Sequence, residues 1–232
     1  MSEPSKSPAP SKGASSSKNR RSLRHVAWVY LCQFSVYVFF KTFFRIKHIG
    51  ARNIPRSGPT MMVANHQSFF DPPAIGCGYY GVTSCLARKS LFKSKLFAAL
   101  ISSIDTIPLE TEGLGYQGIK ETMRRLKNGE AILIFPEGQR SFDGELCEFT
   151  TGYANIASKA KATLVPIAIS GAFEVFPRTK KYPTLFGPRI VVEYGAPIPP
   201  EEYAGLSADE INALVRGRIE TMYERNRPRR KS

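Results

Sequence analysis

From residue 45 onward, short apolar runs of strand length alternate with amphipathic stretches of helix length. This alternation constrains the fold more than any other feature of the chain. Strands are expected at 60–64 (TMMVA), 84–87, 106–109, 131–135 (AILIF), 163–170 (TLVPIAIS) and 189–194 (RIVVEY). Helices are expected at 91–102, 116–127, 152–160 and 208–224. In 116–127, Ile119, Met123 and Leu126 recur at i, i+4 and i+7, one face of a helix. Ser207 and Glu210 stand three apart ahead of the last helix, the spacing of a capping box. No internal repeat interrupts the series. The expectation is an α/β fold: a mixed, largely parallel sheet flanked by helices. At 232 residues there is material for one well-buried core.

The stretch before residue 45 reads differently. Residues 1–20 are Ser, Pro and Lys with almost nothing to bury, so a disordered basic tail is expected over 1–24. Residues 26–40 are uncharged and crowded with aromatics, among them Trp28, Tyr30, Phe34, Tyr37 and Phe39. Fifteen helical residues span about 22 Å, short of a hydrocarbon core of about 30 Å. Continuing through Phe44, with Lys41 snorkelling, brings the helix close to a marginal span. No small-residue cleavage site follows, which argues against a secretory signal. The expectation is an aromatic-rich helix over 25–44 embedded in one leaflet, monotopic or single-span. Arg20, Arg21, Arg24, Arg45 and Lys47 would sit at anionic headgroups. A buried core helix is the competing reading of the same run.

Charge follows the same division. The formal net charge is +14, but residues 1–24 contribute +5 and residues 225–232 another +5, leaving +4 for the 200 between. Basic tails of this kind reach anionic surfaces, either membrane or nucleic acid. The rest of the chain carries no motif that reads DNA or RNA, which argues against a nucleic-acid partner. Four cysteines without a CxxC, and three histidines (His25, His48, His66), leave too few partners for a metal cage. The scattered thiols fit a reducing compartment. The organisation read from the sequence is therefore a tail at 1–24, a membrane helix at 25–44, an α/β domain at 45–224 and a basic tail at 225–232.

Two motifs carry chemistry. NHQSFFD at 65–71 follows the first core strand and is followed by Pro72-Pro73. A proline disfavours the α region for the residue before it, so Asp71 is expected to be extended, in a loop that returns its carboxylate to His66. An aspartate at Nδ1 fixes the imidazole tautomer, leaves Nε2 as a base and stabilises the imidazolium. No GxSxG and no adjacent cysteine supplies a nucleophile, so such a base would activate a bound hydroxyl. FPEGQRS at 135–141 follows the strand at 131–135. Pro136 ends pairing, Gly138 permits a left-handed backbone, and Arg140 offers a planar fork of donors suited to phosphate. Ligands collect at strand ends in α/β sheets.

NHQSFFDPP followed by FPEGQRS resembles the glycerolipid acyltransferase family, of the bacterial lysophosphatidic acid acyltransferase type. The likeness extends to IKHIGARNIPRSGPTMMVANHQSFFD, to the connecting block ARKSLFKSKLFAALISSIDTIPLE and to LVPIAISGAFEVFP, roughly residues 45–200. The resemblance implies transfer of a fatty acyl group from acyl-CoA or acyl carrier protein to the hydroxyl of a lysophospholipid. Lysophosphatidic acid, giving phosphatidic acid, is the acceptor it points to first. Carried over by position, His66 is the base and Asp71 its orienting acid, with Asn65 and Ser68 supporting. Lys89, Glu137, Gly138 and Arg140 form the acceptor-phosphate side. No metal or organic cofactor is implied. The partners are the acyl thioester donor, an anionic membrane surface and, where it bears the donor, acyl carrier protein. The location implied is the cytoplasmic face of the inner membrane. One departure stands out: Thr111 occupies the place of a family arginine, which leaves another lyso-lipid, such as lyso-ornithine lipid, open as acceptor. A non-enzymatic basic protein that binds membrane or nucleic acid through its tails is the remaining alternative.

Overall fold

A computed structural model describes residues 22–79, 81–88, 107–109 and 115–228. Seven strands among them form one sheet: β1 (Lys47–Ile49), β2 (Thr60–Ala64), β3 (Thr83–Arg88), β4 (Ile107–Leu109), β5 (Ala131–Ile134), β6 (Thr163–Ser170) and β7 (Val191–Tyr194). Their order across the sheet is β1-β7-β6-β2-β5-β3-β4. Every pairing is parallel except β6 with β7, so β1 and β7 run against the other five. The helices are α1 (Leu23–Phe44), α2 (Asp71–Gly76), α3 (Tyr116–Lys127), α4 (Gly152–Ala160), α5 (Ala172–Val175) and α6 (Ala208–Asn226). The mixed, mostly parallel α/β sheet is the one the alternation called for. The helix expected at 91–102 lies outside the described residues.

β2 is apolar without alternation because both of its faces are covered. Met61 and Val63 join Ile132, Ile134 and Leu164 under α3, α4 and α6. Met62 and Ala64 join Leu133, Val165 and Ile167 under α1, α2 and α5. α6 closes the first layer with Ile211, Val215 and Ile219, and its Ser207–Glu210 capping box is formed. In α3 the buried positions are Gly118, Thr122 and Leu126, while Ile119, expected on that face, is exposed and Met123 is partly buried. Helical phase decides this: Gly118, Thr122 and Leu126 repeat every four residues, and Ile119 lies one position around the helix.

The apolar pattern alone does not mark β1, because KHI is three residues long with two polar side chains; the likeness of IKHIG to a family entry strand is what pointed to it. Its pairing to β7 holds it. α6 runs two residues past the expected end, to Asn226. Arg225 pairs with Glu193, and Arg227 pairs with Glu145 and Glu224, so two of the terminal arginines are engaged.

α1 begins at Leu23, where the Ser22 hydroxyl caps the His25 N–H. Val29, Phe40 and Phe44 are buried along one side, and Gln33 on that side donates to the carbonyls of Gly76 and Gly81. Burying two phenylalanines is worth about 3–6 kcal/mol, enough to pin the end of the helix to the domain. The opposite side shows Leu31, Phe34 and Val38 to the exterior. α1 is long and apolar enough to cross a membrane by length and composition.

Candidate active site

β2, β5 and β6 are adjacent and parallel, so their C-terminal ends open on one edge. Val63 pairs with Ile134, and the third residue beyond each, His66 and Glu137, meet there. The backbone N–H of His66 donates to Glu137 Oε1 at 2.9 Å. On the other flank Asn65 extends the ladder with its side chain. Its Nδ2 donates to the Ile169 carbonyl at 2.9 Å and its Oδ1 accepts the Ile169 N–H at 2.8 Å. Asn65 is fully buried, so neither polar end can be satisfied by water.

His66 Nδ1 lies 2.7 Å from Asp71 Oδ2, and the imidazole stacks on Phe135 with ring centres 4.2 Å apart. Asp71 is fully buried. The same Oδ2 accepts the backbone N–H groups of Gln67 and Ser68, at 2.5 and 2.7 Å. With Nδ1–H committed to this carboxylate, Nε2 carries the lone pair, on a side chain 19% exposed.

Asp71 is not extended, contrary to the sequence expectation: it is the first residue of α2. The pre-proline penalty is offset because Pro72 and Pro73 fall in the first turn, where a helix has no use for their missing N–H groups. The carboxylate instead takes the N–H groups of Gln67 and Ser68 just ahead of the helix. Ser68 Oγ accepts the Phe70 N–H at 3.1 Å and donates to the Phe176 carbonyl at 2.7 Å. The two phenylalanines between histidine and aspartate divide their work. Phe70 packs edge-on against Phe40 of α1, with centres 5.1 Å apart, while Phe69 is nearly half exposed.

Glu137 is buried, and its Oε2 accepts the Cys147 N–H at 3.4 Å. Burial pushes its carboxyl above the usual carboxylate range, and the N–H bond from His66 pulls it partly back. Its oxygens therefore face the protein backbone. Gly138 has φ +68° and open space where a Cβ would stand, so conformation, not crowding, requires glycine. The Arg140 guanidinium lies over the Phe69 ring, 3.4 Å from its centre. Its neighbour Ser141 donates its backbone N–H to the His66 carbonyl at 2.8 Å. The two motifs are thus stitched from both sides of His66. Lys89 and Thr111 lie outside the described residues.

Sequence reasoning missed a brace. Gln67 Nε2 donates to the Gly144 carbonyl at 2.7 Å and reaches the Tyr223 hydroxyl at 3.0 Å. Tyr223 also donates to the Gly144 carbonyl, so α6 supports the histidine loop from a distant part of the chain. Gln67 and Ser141 lie inside the two motifs, whereas nothing local marks Tyr223. Among the described residues, no three His, Cys, Asp or Glu side chains converge to hold a metal. A separate cavity of about 610 Å³, between β7 and α6, contains none of the motif residues.

Such a site can hold a base and, beside it, a cation on an aromatic platform. The family model described as "Acyltransferase" matches residues 45–170. A Brassica napus chloroplastic 1-acyl-sn-glycerol-3-phosphate acyltransferase is 30% identical over 164 residues, 68% of this chain and 45% of that protein. The Bacillus subtilis 1-acyl-sn-glycerol-3-phosphate acyltransferase is 30% identical over 128 residues, 54% of this chain and 63% of its own. The matches thus take in about half the length of the curated relatives. The crystal structure of a Thermotoga maritima 1-acyl-sn-glycerophosphate acyltransferase superposes with a TM-score of 0.72 at 24% identity. That superposition covers 86% of this chain and 78% of the other, a likeness of fold.

Proposed function

The chain belongs to the acyltransferase family, and from that premise we propose that it is a membrane-associated O-acyltransferase. It moves a fatty acyl group from acyl-CoA or acyl carrier protein to the free hydroxyl of a lysophospholipid. Lysophosphatidic acid is the acceptor favoured by the names of its relatives. The observation that carries the reading is the 2.7 Å contact of His66 Nδ1 with a buried, backbone-held Asp71 at the open edge of the sheet.

In the reaction, His66 Nε2 takes the proton of the acceptor hydroxyl as its oxygen attacks the thioester carbonyl carbon. A C–O bond forms, the tetrahedral intermediate collapses and the C–S bond breaks. The imidazolium, stabilised by Asp71, returns the proton to the departing thiolate, so His66 ends neutral. No protein nucleophile enters. Arg140, with Gly138 and Lys89, receives the acceptor phosphate. Glu137 acts behind them by holding the His66 backbone. Asn65 and Ser68 fix the two ends of the histidine loop.

α1 attaches the enzyme to the bilayer with Leu31, Phe34 and Val38 outward. Its last turn is held by the protein, which favours lying in one leaflet over crossing. Thr111, in place of a family arginine, favours a second reading in which the acceptor is another lyso-lipid, such as lyso-ornithine lipid.

The test is an acceptor panel with one labelled acyl donor in detergent. Thiol release should require a lyso-lipid, with lysophosphatidic acid fastest. Equal release with and without acceptor would identify a thioesterase instead.

A further inference from the structure

We propose that the segment 177–189, PRTKKYPTLFGPR, is a second membrane-docking surface that enters the interfacial region of an anionic bilayer beside the active site. The inference rests on the membrane reading above and names the residues that carry it. The segment holds Arg178, Lys180, Lys181 and Arg189 and no acid. It contains no helix or strand, and Tyr182, Leu185 and Phe186 are 70%, 49% and 68% exposed. Exposed rings among cations suit headgroups and the acyl boundary.

Phe186 has φ +56°, a left-handed conformation that a bulky residue rarely adopts. The protein accepts it and still leaves the ring mostly outside.

The segment is also continuous with α1. Phe186 donates its N–H to the Phe43 carbonyl at 3.0 Å, and the two rings are 5.8 Å apart. Arg45, which caps α1, donates to the Gly187 carbonyl at 2.7 Å. At its other end the segment reaches the site: Arg178 lies over the exposed Phe142 ring and donates to the Arg140 carbonyl at 3.4 Å. A bilayer touching α1 and this loop together would lie next to Arg140, where a lipid acceptor has to enter.

The test uses the full chain with one tryptophan, Phe186→Trp in a Trp28→Phe background. Vesicles of phosphatidylcholine with about 30 mol% phosphatidylglycerol and brominated acyl chains serve as quencher. The emission should shift blue and be quenched, less so with neutral vesicles. Unchanged emission, while Trp28 of the wild type is quenched by the same vesicles, overturns the proposal.

A second arm combines Tyr182→Ser, Leu185→Ser and Phe186→Gly. It should lose about tenfold in kcat/KM on a vesicle-embedded acceptor and nothing on a dissolved short-chain one. Equal loss on both contradicts the proposal. A wild type inactive on every acceptor would sink the reaction while leaving the quenching result to stand. If replacing Arg178, Lys180 and Lys181 by Ser slows only reactions with carrier-protein-borne donor, and no quenching is seen, the segment is a protein-docking face and the membrane proposal fails.

Discussion

The backbone N–H of His66 donates to Glu137 Oε1 at 2.9 Å, so the acidic residue of one motif holds the histidine of the other. Glu137→Ala leaves that N–H without its acceptor at a buried position, a loss of about 1–3 kcal/mol in stability. kcat should fall about tenfold or more while KM for the acyl donor stays put. Glu137→Gln keeps an oxygen for the His66 N–H at the cost of the longer Cys147 N–H bond to Oε2, and should recover a large part of kcat. Kinetics in which Gln is as damaging as Ala would mean that the charge, not the brace, is needed.

Asp71→Asn tests the orienting carboxylate. Oδ2 takes three donors, from His66, Gln67 and Ser68, and a carboxamide can serve only part of that set. Turnover should drop by about 10²–10⁴-fold. Thermal unfolding should also move down, because Asp71 holds the start of α2. Full activity in this variant would detach Asp71 from the chemistry.

How much of this was legible in the sequence depends on how local each signal was. The strands at 60–64 and 163–170 and the helices at 116–127 and 152–160 were readable because their apolar patterns are set within one element. β1 had no such pattern and was legible only through the resemblance of IKHIG to an entry strand, since a three-residue edge strand gains its stability from β7, about 140 residues on. The same contrast holds in the site. The pairing of His66 with Asp71 was legible from the two motifs taken together and from the family resemblance, not from the spacing alone, and the helical start at Asp71 depends on the N–H groups of Gln67 and Ser68, against the bias of the following proline. Tyr223 was invisible because only tertiary folding brings α6 to Gln67.

Arg140→Ala should raise KM for a phosphate-bearing acceptor by about 10–100-fold, the size of a lost charge-assisted pair. KM for the acyl donor should barely move. Phe69→Ala removes the surface on which the guanidinium rests and should give a smaller change in the same direction. Equal losses for donor and acceptor would remove the phosphate role.

His48 gives a pH signature separate from catalysis. Burial lowers its pKa from 6.5 to about 4, with Lys41 adding to the shift; around it lie Tyr194 Oη at 3.2 Å and Cys77 Sγ at 3.7 Å. The folded state therefore binds fewer protons than the unfolded one between pH 6.5 and about 4. Stability should be retained above that window and lost as pH falls through it, by up to about 3 kcal/mol. Chemical denaturation at a series of pH values measures this, and His48→Gln should flatten the slope. A wild-type slope no steeper than the variant's would show that His48 titrates normally.

The central claim is that His66 takes the proton of a bound lipid hydroxyl, and acceptor-dependent thiol release by His66→Ala measures it most directly. The variant should still fold, since its backbone bonds to Glu137 and Ser141 do not involve the ring, though it unfolds at a lower temperature for want of the Asp71 pair and the Phe135 stack, and its turnover should fall by about 10²–10⁴-fold. A correctly folded His66→Ala protein that turns over at the wild-type rate would contradict the account.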